Sequence, residues 1–141
     1  MSKVFLDTNI FIYLIEDRGV WAKYARDLLD RLTLRRDQVV TSSLTLGELL
    51  TQPLAQGATL LADEYEQALS PPGVQLVDFD RKAARLYAKL RQDKTIKVAD
   101  AMQLAMAAAA RCDLFVTNDD RLSKKVVDGI HFVTALNRVP I

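Results

Sequence analysis

Short apolar runs recur along this chain, each closed by polar residues and separated from the next by a segment with helical periodicity. Val4, Phe5 and Leu6 form the first, Val39 and Val40 the second and residues 114–116 the fourth; residues 74–77, the third, and 130–133, a last edge strand, are mainly apolar, interrupted by Gln75 and His131. Runs of this length are too short for helices and, bounded by turn and cap residues, they read as buried strands. Strands that alternate with helices call for a central, mainly parallel sheet covered on both faces, a three-layer α/β/α architecture. In open sheets of this kind ligands bind outside the carboxyl ends of the strands, so polar residues just past each run mark the candidate site.

The intervening segments carry the helices. Trp21, Tyr24, Ala25, Leu28, Leu29 and Leu32 follow the i, i+3, i+4, i+7 rule, with Lys23, Arg26 and Arg31 turned outward, and Trp21 and Tyr24 are assigned to the core. Ser42 or Ser43 caps the helix that carries Glu48, which Pro53 kinks or ends. Leu61, Tyr65, Ala68 and Leu69 share a helix face beyond Gly57, and Asp80 caps a helix with Ala83, Leu86, Tyr87 and Leu90 inward. Residues 98–110 are apolar almost all round, as in a helix buried against a sheet, and residues 120–127 suggest one further short helix. With 141 residues and no repeat, linker or low-complexity stretch, a single domain over 1–141 is expected.

Residue counts narrow the chemistry. One Cys (Cys112) and one His (His131) exclude an internal disulfide, a Cys/His zinc cage and a two-histidine acid/base pair. Hydrolysis would have to come from carboxylates, hydroxyls or lysines. The five glycines form neither a GxGxxG nor a P-loop, and no serine sits in a GxSxG elbow. The longest apolar run, residues 104–110, is far short of the roughly 20 residues of a membrane helix, so a soluble cytoplasmic protein is expected, with no membrane partner.

Four acids stand where a crevice would form. Asp7 directly follows the first strand and reads either as a crevice carboxylate or as a helix N-cap. Asp100 lies in the first turn of an otherwise apolar helix, where it serves the helix dipole or a site. Glu48 sits among Leu46, Leu49 and Leu50, and Asp119 and Asp120 follow the fourth strand, with the cap assigned to Asp120 and the crevice to Asp119. Carboxylates gathered in a partly dry crevice repel one another unless protons or cations lie between them. Oxygen-only ligands select hard cations, which favours Mg²⁺ or Mn²⁺ over zinc. Thr8, Asn9, Ser42, Thr117 and Asn118 would orient ligands or waters around such an ion.

These residues also carry a resemblance. Residues 4–9 with Asp7, 42–49 with Glu48, 99–105 with Asp100 and 114–122 with Thr117-Asn118-Asp119 resemble the four acidic motifs of the PIN-domain nucleases, in that family's order and spacing. Asp-Ala-Met-Gln-Leu-Ala followed by Leu-Phe-Val-Thr-Asn-Asp is the most specific part. The small single-domain form is similar to VapC-type toxins of type II toxin–antitoxin pairs. The resemblance implies a PIN-like, Rossmann-like fold and a Mg²⁺- or Mn²⁺-dependent endoribonuclease. It likewise implies Asp7, Glu48, Asp100 and Asp119 as the metal-binding catalytic acids, Thr117 or Asn118 in support, a homodimer and a cognate antitoxin. Asp120 duplicates the fourth acid, which leaves the choice between neighbours open, and Leu122 stands where an aromatic residue is frequent.

A formal net charge of +1 from 19 basic and 18 acidic residues speaks against indiscriminate binding to polyanions. By position the balance divides. Arg81, Lys82, Arg85, Lys89, Arg91, Lys94 and Lys97 accompany one acid, Asp93, on the approach to Asp100, and Arg121, Lys124 and Lys125 follow Asp119. Such runs are commonly solvated faces; here Lys94, Lys97 and Arg121 are the candidates to deliver an RNA backbone to the acids. Two rival readings remain: a phosphatase with Asp7 as covalent nucleophile, and a PIN-like module that binds partners without turnover.

Overall fold

The computed structural model describes residues 1–17 and 19–141. Five strands, β1 (Lys3–Leu6), β2 (Gln38–Ser42), β3 (Val74–Val77), β4 (Leu114–Thr117) and β5 (Phe132–Ala135), form one sheet in the order β3-β2-β1-β4-β5. Every pairing is parallel. The helices are α1 (Thr8–Glu16), α2 (Gly19–Arg35), α3 (Ser43–Ala55), α4 (Thr59–Ala68), α5 (Arg81–Leu90) and α6 (Val98–Ala109).

Alternation along the strands builds two cores. Val4 and Leu6 of β1, with Val39, Val74, Leu114 and Val116, pack against Ile10, Leu28, Leu32, Leu49 and Tyr65 of α1 to α4. Phe5 and Val40 turn the other way, onto Ala101, Leu104 and Ala107 of α6. Phe5 lies opposite Phe115 in the β1–β4 register, and their rings stack with centroids 5.0 Å apart and planes 7° from parallel. A sheet buried on both faces explains the runs of consecutive apolar residues in its strands. Three layers result, as the sequence pattern predicts.

Several local expectations are corrected. Residues 120–127 do not form a helix; only a 3-10 turn, Leu122–Lys124, is present, because a buried Leu122 anchors the chain while Val126 is left fully in solvent. The last strand lies two residues later than its apolar run, at Phe132–Ala135, with Phe132 exposed at the sheet edge. Helix α3 continues through Pro53 to Ala55, since a proline so near the end removes a single i→i−4 bond. On α2 the inward residues are Ala22, Ala25, Leu28 and Leu32, so Tyr24 faces solvent beside Trp21, and on α4 Ala62 rather than Ala68 points in. Small alanines let these helices approach the sheet, and the larger side chains are displaced to the flank.

The strand order places a topological switch between β1 and β4, since the chain leaves β1 towards β2 and β3 and returns to the other side for β4 and β5. The carboxyl ends of β1, β2 and β4 lie side by side at that edge. No helix among the described residues is long and apolar enough to cross a membrane.

Candidate functional site

Asp7 is both of the things its position allows. As N-cap of α1 it accepts the Thr8 N–H on Oδ1 at 2.9 Å, while its own N–H continues the ladder to the Val116 carbonyl at 2.9 Å. Across the switch point the Thr117 hydroxyl donates to Asp7 Oδ2 at 2.8 Å and accepts the Asp119 N–H at 3.1 Å. One hydroxyl thus ties the end of β4 to the end of β1. Burial pushes the Asp7 carboxyl up to about 6; the Thr117 and Thr8 hydrogen bonds pull it back, and the charges of Asp100 and Glu48 add to the rise.

Asp100, half-buried in the first turn of α6, is raised above the usual carboxylate range by burial and then by the charge of Asp119, with Lys97 acting the other way and Glu48 adding to the rise. These influences link Asp7, Glu48, Asp100 and Asp119 in one electrostatic neighbourhood, although they come from four separate stretches of chain. Asp119 is also the turn cap: its Oδ1 accepts the N–H groups of Arg121 at 2.9 Å and Leu122 at 3.2 Å. The cap expected at Asp120 therefore belongs to Asp119, which spans two roles because the helix shrinks to a turn. Asp120 remains exposed, lining with Asp100 and Asp119 an open cavity of about 320 Å³ whose wall includes Lys97, Arg121 and Lys125.

Behind Glu48 lies a polar cluster. Ser42 caps α3 by accepting the Thr45 N–H at 3.0 Å, and its hydroxyl donates to Gln103 Oε1. The Gln103 amide donates to Thr45 Oγ1 at 2.8 Å, with Glu48 Oε1 at 3.3 Å and Thr8 Oγ1 at 3.4 Å also in reach. The Thr8 hydroxyl donates to Glu48 Oε1 at 2.7 Å. Gln103 and Thr45 are the members that reading the residues one by one missed. The signal was present: Gln103 is a polar side chain one turn after Asp100 in a helix that is otherwise apolar.

The other sequence candidates scatter. Asn9 is exposed on α1 and takes no part in this network. Asn118 donates to the Tyr13 hydroxyl at 2.9 Å, holding the loop after β4 against α1. Lys97 and Arg121 reach the cavity, whereas Lys94 is exposed on the loop before α6 and does not line it. Lys125 is paired, donating to Asp93 at 3.0 Å and to Thr95 at 2.6 Å.

Carboxylates that raise one another's affinity for protons are suited to a hard divalent cation, which would offset the same repulsion. The donor set fits Mg²⁺ or Mn²⁺ by chemistry: oxygen ligands only, no thiol or imidazole at the crevice. Among the described residues no three acidic, histidine or cysteine side chains are grouped closely enough to hold an ion as they stand, so the fit is one of donor type and charge.

The PIN domain family model matches residues 4–128. No curated protein matches the sequence. Among solved structures the fold is similar to a chain of VapBC2 from Rickettsia felis bound to a DNA fragment from their promoter, with TM-score 0.69 and 19% identity over 94% of this chain and 98% of that one. A toxin–antitoxin complex from Klebsiella pneumoniae gives TM-score 0.67 and 22% identity over 90% and 94% of the two chains. VapBC-5 of the VapBC toxin–antitoxin family, from Mycobacterium tuberculosis, gives 0.61 and 23% over 95% and 99%. At these identities the likeness is one of fold.

Proposed function

The chain belongs to the PIN-domain family, whose members are generally nucleases, and from that premise we propose that it is a Mg²⁺- or Mn²⁺-dependent endoribonuclease, the toxin of a type II toxin–antitoxin pair. The observation that carries the reading is the convergence of acids from four segments: the Thr117 hydroxyl ties Asp7, after β1, to the backbone of Asp119, after β4; Asp100 lines the same cavity as Asp119; and Thr8, next to Asp7, bonds Glu48 of α3. These four would hold the cation, with Asp120 an additional donor at the cavity rim. When bound, such an ion lowers the pKa of a coordinated water and offsets charge on a phosphodiester during in-line attack.

The chain's own residues supply the rest. Thr117 holds the Asp7 carboxylate and the Asp119 backbone together, so that two acids from opposite sides of the switch point keep their spacing. Lys97 and Arg121 stand at the cavity wall, where they would draw a phosphate backbone towards acids that repel it in the absence of the ion. RNA rather than DNA as substrate, a homodimer, an antitoxin partner, a cytoplasmic location and a single nuclease domain over 1–141 are parts of the same proposal, supported by the motif resemblance and by the fold shared with toxin–antitoxin proteins.

A covalent phosphatase with Asp7 as nucleophile is the poorer fit, because the residue two positions on, where such a site wants a second acid, is Asn9, exposed on α1 and outside the network. The direct test is cleavage of total RNA in Mg²⁺ or Mn²⁺ by the parent, by Asp100→Asn and with chelator. The parent should cut, and loss of one charge-stabilising group should cost about a hundredfold or more in rate. An Asp100→Asn variant that cuts as well as the parent would rule out the metal–acid reading, and a trapped aspartyl-phosphate at Asp7 would favour the phosphatase.

A further inference from the structure

Helix α6 presents Ala101, Leu104, Ala105, Met106, Ala107 and Ala108 to the interior, and among them one amide, that of Gln103, is 2% exposed. Burying an amide is costly unless each of its polar atoms finds a partner, and here each does. The partners belong to three other places: Ser42 at the end of β2, Thr45 and Glu48 on α3, and Thr8 at the start of α1. Asp7 caps α1, Glu48 lies on α3 and Asp100 lies three residues before Gln103. A single buried side chain therefore joins the elements that carry three of the four acids.

The orientation of the amide is fixed by what surrounds it. A carboxylate accepts and never donates, so the NH₂ end must face Glu48, and the Ser42 hydroxyl, which already accepts the Thr45 N–H, is left to donate to the Gln103 oxygen. Two donors thus meet on Glu48 Oε1, the Thr8 hydroxyl at 2.7 Å and the Gln103 amide at 3.3 Å. Glu48 is otherwise an exposed glutamate on a helix, a side chain with ample rotamer freedom to lose. Among the described residues no hydrogen bond engages its Oε2.

We propose that Gln103 is the positioning residue for Glu48: its buried amide, with the Thr8 hydroxyl, holds Oε1 and leaves Oε2 presented to the divalent cation. The inference rests on the metal-nuclease reading and specifies how one ligand of that site is kept in place. The residues within two positions of Glu48 cannot do this, because they are leucines and a glycine.

The test is Mn²⁺ binding by calorimetry, with thermal midpoints measured in chelator alongside. Gln103→Met keeps the length and removes the amide; Gln103→Glu keeps an acceptor for Ser42 but sets a like charge against Glu48. Each should weaken Mn²⁺ binding by about 10- to 100-fold, as loss of an outer-shell partner does. Rates should fall through kcat, with KM for RNA little changed. The discriminating step is a double-mutant cycle: on a Glu48→Gln background, Gln103→Met should weaken Mn²⁺ no further, because its target is already gone. A merely structural role would lower the thermal midpoint and weaken binding equally on both backgrounds. Should Gln103→Met fail to fold, Thr8→Val removes the other donor to the same oxygen from a partly solvated position and should weaken Mn²⁺ in the same direction. Variants that bind Mn²⁺ as the parent does overturn the inference alone. A parent that binds no Mn²⁺ overturns the metal reading and the inference with it.

Discussion

The two flanks of the crevice are built by different physics. On one side Asp7, Thr8, Ser42, Thr45, Glu48 and Gln103 are joined by hydroxyl and amide hydrogen bonds, with those among Ser42, Thr45 and Gln103 buried. On the other, Asp100, Asp119 and Asp120 share an open cavity with Lys97, Arg121 and Lys125, and position there depends on charge and on short turns. The dry flank fixes geometry, because hydrogen bonds to the Asp7 and Glu48 carboxylates, backed by the buried Gln103, Thr45 and Ser42, are strong and directional. The wet flank gathers counter-charges that solvent and salt can screen, which suits the approach of a long polyanion. Alterations on the first should therefore act on the ion and the chemistry, and alterations on the second on substrate capture.

The sharpest way to break that division is Asp7→Asn. Asparagine can still cap α1 through its oxygen, so the fold is kept while one charge is removed from the dry flank. Activity should fall about a hundredfold or more, yet stability in chelator should rise. The sign follows from the pKa: Asp7 is raised in the native state from 3.8 to about 6, so the folded protein pays for its charged form at neutral pH and is relieved of that cost as pH falls through 6 towards 4. A shift of about 2 units corresponds to at most about 3 kcal/mol at pH 7. Thermal midpoints at pH 5 and 7 in chelator should accordingly differ less in Asp7→Asn than in the parent. A variant less stable than the parent at pH 7 would mean that the hydrogen bonds to Asp7 outweigh the cost of its charge.

The contrast between the flanks also accounts for what the sequence made legible. The strand runs predict the parallel sheet and its order of layers, because a strand buried on both faces has no choice but to be apolar throughout, as Phe5 and Leu6 show. Asp7 and Thr117 are legible as site residues because they sit one step past, or at the end of, such runs. The region after β4 is less legible: the spacing of Leu122, Val126 and Val127 suggests a helix, but only Leu122 and Val127 are buried, and the capping of the turn by Asp119 decides the local path. Gln103 is hard to place for the opposite reason. Its polarity within an apolar helix is visible locally, but the partners that give it meaning, Thr45 and Ser42, lie 58 and 61 positions away.

On the wet flank the effects should be smaller and dependent on salt. Lys97→Ala and Arg121→Ala each remove a cation from the cavity wall, so each should weaken RNA binding and reduce the slope of log K against log salt by about 0.7, the value for one phosphate contact on a single strand. Lys94→Ala, outside the cavity, should change the slope less than either. Filter binding across a salt series with Mn²⁺ and an inactive Asp100→Asn background measures all three. Equal slopes for parent and Lys97→Ala would remove this flank from the substrate path.

Lys125→Ala is expected to have the smallest effect, although Lys125 lines the same cavity. Its ammonium is already committed to Asp93 at 3.0 Å and Thr95 at 2.6 Å, joining the loop before α6 to the turn after β4. Asp93, held down to about 2 by the Thr95 hydroxyl and N–H and then by Lys125, stays ionised across the working range, so the pair is neutral and offers an incoming phosphate little. Both partners are partly exposed, and solvent screens what the ion pair contributes. RNA affinity of Lys125→Ala should therefore stay within about twofold of the parent, below the loss from Lys97→Ala in the same titration. A loss as large as that of Lys97→Ala would show that the clamp opens to bind phosphate, and the wet flank would then hold three working cations instead of two.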